Sequence, residues 1–234
     1  MIDLILLGAG GHCKSTIEVL ETMQDVYCLK GILDFESKGE LCGYPILGND
    51  DLIESFAKEN QFLITVGSIK STKIRKKIAE KVSAVGGLFA TVISKNAVVS
   101  KRSVIGKGTV ILHNATVNAD VVIGEQCIIN TAANIEHDCK IGDFVHVSTG
   151  AMINGGCQIG NRCFVGSNST IAQGVTVCND VIIGAGSVVI KDIMEPGTYV
   201  GNPAKKMEIK MKIEKKIAGG YTSIVYSPFE RRIA

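Results

Sequence analysis

The chain has almost no net charge: 25 Lys and Arg against 23 Asp and Glu leave +2 over 234 residues. So even a balance gives no electrostatic footprint for nucleic acid. No stretch approaches the roughly 18 consecutive apolar residues of a membrane span. The opening Met-Ile-Asp-Leu-Ile-Leu-Leu-Gly has no basic segment, and its apolar run is too short for a signal peptide. These absences predict a soluble, cytoplasmic protein. There are eight cysteines but no C-x-x-C pair, which argues against a zinc knuckle. The charge that is present is uneven. Residues 205–234 carry eight Lys and Arg against three Glu, so the tail is basic and the remainder acidic.

What the chain does have is a six-residue period. Every sixth position from Ile93 to Val189 is Ile or Val, without a gap. This period matches neither the helical 3.6 nor a simple strand alternation. It predicts a β-helix, in which short straight runs separated by turns each point one aliphatic side chain inward. Three hexads make one coil, and Gly106, Gly124, Gly142 and Gly160 recur at that interval. At about 4.8 Å per coil the prism should stand roughly 27 Å tall. Cys127, Cys139, Cys157 and Cys163 fall in the small-residue slot four places after the aliphatic, and so read as inward-facing core residues. Pro196-Gly197 breaks the pattern, and Gly201-Asn202-Pro203-Ala204-Lys205 reads as an exit loop.

The first ninety residues follow another plan. Residues 4–8 read as a buried strand, 13–23 as an amphipathic helix, 27–33 as a second strand and 62–66 as a third. Residues 43–48 read as a loop. Asn49 or Asp50 can cap a short helix over 51–58, and Ser71 can cap one through Val82. This β-α-β-α-β-α order implies a small parallel sheet of the nucleotide-binding type. The expected organisation is therefore an α/β domain over 1–88, an all-β parallel β-helix of six-residue repeats over 89–207, and a C-terminal extension over 208–234. In the extension, an edge strand over 207–213 turned back at Gly219-Gly220 competes with a fraying helix.

Chemistry on such a prism has to use outward side chains. His137 stands in Ile135-Glu136-His137-Asp138-Cys139, between two carboxylates, an arrangement that suits a general base. A solvated turn histidine is the plain alternative. His146 follows nine residues later, half a coil away, so the two face opposite sides of one prism. They can share a site only across a subunit boundary, as in a cyclic oligomer; otherwise His146 is an outward polar residue. His113 reads as surface polar, and no three histidines converge for zinc. The turn Gly8-Ala9-Gly10-Gly11-His12 lies between a strand and a helix and can cradle a phosphate. Cys13 occupies the third glycine position of G-x-G-x-x-G, so a dinucleotide is not specified. Asp34 ends the next strand, where such folds meet a ribose or base.

The opening Gly-Ala-Gly-Gly-His, the run Ile-Glu-His-Asp-Cys-Lys-Ile-Gly-Asp-Phe-Val-His and the exit Gly-Asn-Pro-Ala-Lys together resemble the hexapeptide-repeat sugar acetyltransferases of the bacillosamine and sialic acid pathways. The resemblance covers about residues 2–207. It implies a small α/β Rossmann-like N-terminal domain followed by an all-β left-handed parallel β-helix of hexapeptide repeats, assembled as a homotrimer that moves acetyl from acetyl-CoA, without a metal, to the 4-amino group of a nucleotide-linked amino sugar. His137 would be the base and Asp138 its support. Gly10, Gly11 and His12, with Asp34, Phe35, Gly67 and Ser68, would hold the sugar nucleotide. Asn130, His146, Gly155, Gly166 and Ala185 would line the coenzyme cleft. Many members that acetylate nitrogen have Glu where Asp138 stands. Competing readings are an O-acetyltransferase acting on sialic acid or a related nonulosonate, a non-catalytic trimeric scaffold that binds sugar nucleotides, and a zinc hydratase on the same prism.

Overall fold

The computed structural model describes residues 1–69 and 71–207. The readings placed on the 208–234 extension, including the Gly219-Gly220 turn, lie outside the described residues.

The N-terminal part is an α/β layer. Strand β1 (Ile2–Leu7) is flanked by β2 (Tyr27–Leu33) and β5 (Gln61–Ile64), with β6 (Leu88–Phe89) at one edge. All of these pairings are parallel. Helix α1 (Gly11–Glu21) connects β1 to β2, and α3 (Lys73–Ala84) connects β5 to β6. The four central residues Leu4–Leu7 are fully buried, as a strand covered on both faces requires. The cap of the short 51–58 helix is Asn49, whose side chain accepts from the Asp51 N–H; the segment resolves into a 3₁₀ turn at Asp50–Leu52 and α2 at Ile53–Phe56.

Residues 43–48 are not a loop. They form β4 (Tyr44–Gly48), which pairs parallel with β2 through Ile32↔Ile46 and antiparallel with β3 (Glu40–Leu41). Its sequence, YPILG, has a proline near its start and a glycine at its end and is only partly buried. The apolar pattern that marks a central strand is therefore missing, and backbone pairing with β2 supplies the strand.

From β7 (Val92–Ile93) onward the chain winds as a left-handed parallel β-helix. Very short strands stack on partners one full coil away, in three sheets. The first sheet contains Ile128–Ile129, His146–Val147 and Phe164–Val165; the second Asn134–Ile135 and Met152–Ile153; the third Lys140–Ile141 and Gln158–Ile159. The aliphatics from Ile111 to Val189 form one core with the small-residue slot, including the four cysteines at 0–1% exposure. Each buried Ile or Val contributes roughly 2 kcal/mol by removal from water.

Turning every six residues demands a special backbone. Gly108, Asn114, Asp120, Gln126, Ala132, Asp138, Phe144, Gly150, Gly156, Arg162, Asn168, Gly174, Asp180 and Gly186 all take φ between 53° and 74°. This left-handed conformation costs a non-glycine residue about 1–2 kcal/mol. Coil-on-coil hydrogen bonding offsets it, for example from Asp138 N–H to Ala119 O at 3.0 Å and from Gly156 N–H to His137 O at 2.8 Å. The sheet also outlasts the hexads. Gly197–Val200 pairs parallel with Val181–Ile183 through Val181↔Gly197, a step shorter than a full coil, so Pro196 ends the period but not the pairing.

The two parts share a core. The outward side chains Val92, Val110 and Ile128 of the first sheet, with Leu112, pack with Leu4, Leu6, Ile17, Leu20 and Met23. Higher on the same face, beyond this apolar contact, stands His146.

Candidate active site

His137 lies on the corner between the second and third sheets. Its Nδ1 is 2.8 Å from Asp138 Oδ2, and its side chain is 55% exposed. A carboxylate only accepts, so Nδ1 carries the proton and Nε2 keeps its lone pair. The Asp138 hydrogen bond raises the imidazole pKa above its ordinary value; burial works weakly against this, while the charges of Asp138 and Glu136 add to it. Glu136 does not contact the ring. Its carboxylate accepts from Asn134 Nδ2 and Asn118 Nδ2, both at 2.9 Å, and these bonds hold its pKa below the usual range. The corner thus presents a basic imidazole in one tautomer, backed by fixed negative charge.

His146 belongs to a different constellation on the first sheet. It is 7% exposed because the loop after β5 covers it. Its Nδ1 lies 2.8 Å from the carbonyl oxygen of Ser68, and its Nε2 lies 3.2 Å from Asn130 Nδ2. The Asn130 amide is oriented by accepting from Thr131 N–H through Oδ1 at 2.8 Å. The ring of Phe164 meets His146 edge-on, with centroids 5.1 Å apart. His12 is near, at 6.5 Å between ring centroids, and its buried Nε2 has no hydrogen-bond partner among the described residues. Burial, then the Arg75 charge and then His146, bring the His12 pKa down to about 3. For His146, burial lowers it most, the Ser68 carbonyl resists, and Arg75 lowers it further, to about 4. Both rings are neutral at physiological pH.

Arg75, which the sequence reading passed over, holds this junction. It is 1% exposed and, among the described residues, has no carboxylate partner. Its guanidinium donates to the carbonyls of Ile64 at 2.9 Å, Val66 at 2.6 Å and Gln126 at 2.8 Å, tying the end of β5 to a corner of the β-helix. Burial brings its pKa down to about 10, so it remains a cation. The available signal was a lone charge on the apolar stripe of α3, which also presents Ile78, Ala79 and Val82 to the core.

The glycine turn is open. A Cβ added at Gly10 or Gly11 would meet nothing within 4 Å, so a ligand can approach the backbone closely. Asp34 clamps this turn. It accepts from Ala9 N–H at 2.8 Å, Ser37 N–H at 2.7 Å and Glu36 N–H at 3.0 Å. Burial works to raise its pKa, and these backbone bonds outweigh burial and lower it. Phe35, 82% exposed beside it, offers a free aromatic face. A Cβ on Gly67 would sit 3.8 Å from the Cβ of His12, so the Gly67-Ser68 loop lies over the turn.

The five residues expected along the coenzyme cleft separate into two places on the chain. Asn130 and His146 touch one another, and Gly166 stacks one coil below Ala185, where a Cβ would come 2.5 Å from the Ala185 nitrogen. Gly155 is on another corner, against His137. His113 is half-buried, with Nδ1 2.7 Å from Ser94 Oγ. Among the described residues, no three His, Cys, Asp or Glu side chains gather in a way that could hold a metal ion. Among the same residues no helix is long and apolar enough to cross a membrane.

Comparison with known proteins places the fold in a family. Residues 3–82 match the PglD N-terminal domain family, and residues 156–191 match the bacterial transferase hexapeptide family (six repeats). The UDP-N-acetylbacillosamine N-acetyltransferase of Bacillus subtilis is 35% identical over 114 residues, 47% of this chain and 50% of that enzyme, so the match spans about half the length of the curated relative. The acetyltransferase domain of PglB from Neisseria gonorrhoeae superimposes with a TM-score of 0.84 at 33% identity, covering 88% of this chain and all of that one. PerB from Caulobacter crescentus, solved with CoA and GDP-perosamine, gives 0.79 at 28% identity, covering 88% and 97%. The chain belongs to the family of hexapeptide-repeat acetyltransferases that carry a PglD-type N-terminal domain.

Proposed function

We propose that this protein transfers acetyl from acetyl-CoA to the 4-amino group of a nucleotide-linked amino sugar. The observation that carries the reading is the His137–Asp138 pair, which leaves Nε2 unprotonated on an exposed corner. Nε2 takes the proton from the sugar nitrogen as that nitrogen attacks the thioester carbonyl. The tetrahedral intermediate collapses by breaking the C–S bond, and the imidazolium returns the proton to the departing CoA sulfur. No acyl-enzyme is required, because two bound substrates already meet in the needed geometry. The repeat cysteines are sealed in the core, and burial pushes the Cys127 thiol up to about 12, which leaves it inert.

The sugar nucleotide is assigned to the open turn Gly10-Gly11-His12 with Asp34, Phe35, Gly67 and Ser68. Acetyl-CoA is assigned to the side of Asn130, His146, Gly166 and Ala185. His137 stands on a different corner of the same prism, so the active unit is a homotrimer in which one chain's His137 serves its neighbour's coenzyme. Such an enzyme works in the cytoplasm, where acetyl-CoA is found. The support from relatives is that the PglB acetyltransferase domain has been solved with acetyl coenzyme A and PerB with CoA and GDP-perosamine.

The test is thiol release from acetyl-CoA with UDP-, GDP- and dTDP-4-amino sugars beside sialic acid. Turnover is expected with a 4-amino sugar nucleotide and not with sialic acid. Acetylation of sialic acid alone would replace this reading with O-acetyl transfer.

A further inference from the structure

His137 is exposed on its outer side, yet one side of its ring is closely fitted. A Cβ built on Gly155 would stand 2.7 Å from both Cε1 and Nε2 of the imidazole and 3.3 Å from Cδ2. Both 2.7 Å values are well inside van der Waals contact. The ring therefore lies flat over the Gly155 backbone, one coil along, in space that only glycine leaves free. The main chain locks the same stack, since Gly156 N–H donates to His137 O at 2.8 Å and Asp138 N–H to Ala119 O at 3.0 Å. Gly156 takes φ 71°, the left-handed corner conformation that favours glycine. The φ of Gly155 lies outside the left-handed region. Backbone conformation therefore does not explain the glycine at 155, whereas room for the imidazole does.

We infer that Gly155 is a positioning residue for the transfer reaction: its missing side chain seats the His137 ring so that Nδ1 meets Asp138 and Nε2 faces the acceptor. The inference rests on the assignment of His137 as base. It moves Gly155 from the coenzyme side of the site to the base. Any Cβ at 155 would push the ring off its seat. The ring is the free end of an exposed side chain, so it can swing away at little cost to the fold. Stability should survive while geometry is lost, and a misplacement of about 1 Å at a reacting group can cost on the order of 10²-fold in rate.

Gly155→Ala separates the possibilities. Expected are a kcat lowered by roughly 10–100-fold, an unchanged KM for acetyl-CoA, and an unchanged Tm. The acid limb of the pH–rate profile should also move to lower pH, since a displaced ring loses the Asp138 bond that raises its pKa. A merely structural glycine would not move that limb. In the His137→Ala background the same substitution should add no further loss, because the group it positions is gone. Three outcomes would overturn the inference: wild-type kcat in folded Gly155→Ala, an equal additional loss in the His137→Ala background, or a raised KM for acetyl-CoA at unchanged kcat, which would return Gly155 to the coenzyme cleft. Failure of the base assignment is seen separately, as full activity in His137→Ala alone.

Discussion

The Nδ1 of His146 lies 2.8 Å from the carbonyl oxygen of Ser68, across the boundary between the α/β layer and the β-helix. A carbonyl cannot donate, so Nδ1 holds the ring's proton and Nε2 is an acceptor, here of the Asn130 amide at 3.2 Å. One hydrogen-bonded chain thus runs from the loop assigned to the sugar nucleotide to the corner assigned to the coenzyme. It requires a neutral imidazole, which burial enforces.

That requirement makes stability depend on pH. Unfolded, His12 and His146 bind a proton near pH 6.5; folded, they do so only near about 3 and about 4. Above pH 6.5 both states are neutral and the full contribution is present. Below it the unfolded chain takes up two protons that the native state refuses, so stability falls by up to about 1.4 kcal/mol per pH unit for each histidine. The loss runs from pH 6.5 down through about 4 for His146 and about 3 for His12. Denaturant midpoints at pH 7.5, 6.0 and 5.0 should decline accordingly, and His146→Gln should remove about half of the slope. A flat midpoint over this range would mean that the rings titrate normally and are not sealed in solution.

Arg75 should matter for the same junction. Arg75→Met keeps the bulk and removes the donors to Ile64, Val66 and Gln126 carbonyls. Leaving these buried acceptors unpaired should cost about 3 kcal/mol, a Tm drop of roughly 6–12 °C for a chain of this size. Lysine should rescue only weakly, since one ammonium cannot match a planar fork. Loss of the cation should also raise the His146 pKa from its depressed value, which imidazole NMR would report. A Tm within a degree of wild type would show that the β-helix and the α/β layer do not depend on this clamp.

The six-residue period made the β-helix legible before any coordinates, because each coil places one aliphatic inward at the same step. The left-handed corners were not legible. Ala132, Phe144 and Arg162 occupy them, and none of these residues favours positive φ. Strand β4 was missed for the converse reason, since its pairing is set by the edge of β2 and not by its own YPILG sequence. In the site, His137 and Asp138 could be read as neighbours in sequence. The burial of His146 could not, because spacing gives only the face on which it stands and not what covers that face. Arg75 and Gly155 act through contacts distant in sequence, with Gln126 and His137 respectively. No local pattern encodes the Arg75 contact, and the 18-residue coil encodes only that position 155 stacks on position 137, not that the imidazole fills the space of the missing side chain.

The base and its partner make a kinetic prediction. His137→Ala should lower kcat by about 10²–10⁴-fold, the range for a lost general base, with little change in CoA affinity. Asp138→Asn should cost less and shift the acid limb toward lower pH, since His137 loses the bond that raises its pKa. The proposed site between subunits can be tested with two variant chains. Asn130→Ala is the better partner for His137→Ala than a His146 variant, because His146 also bridges to Ser68. Mixed and reassembled, the two should regain up to about one quarter of wild-type turnover, as sites form between unlike neighbours. No recovery in mixed trimers would place both residues in a site within one chain.

Gly11→Val tests the division of labour between the two parts of the molecule. Among the described residues, nothing outside its own helix turn lies within 4 Å of a Cβ at Gly11, so the substitution starts in open space, and Tm should stay close to wild type. The side chain would fill space that a phosphate needs in order to reach the N–H groups at the start of α1. KM for the sugar nucleotide should therefore rise by about tenfold or more, equivalent to losing about 1.4 kcal/mol or more of binding. KM for acetyl-CoA, assigned to the β-helix, should not move. Because Gly11→Val is expected to fold normally, a null result has one meaning: if the variant uses the sugar nucleotide as well as wild type, the open turn does not hold the diphosphate, and the α/β layer serves another ligand.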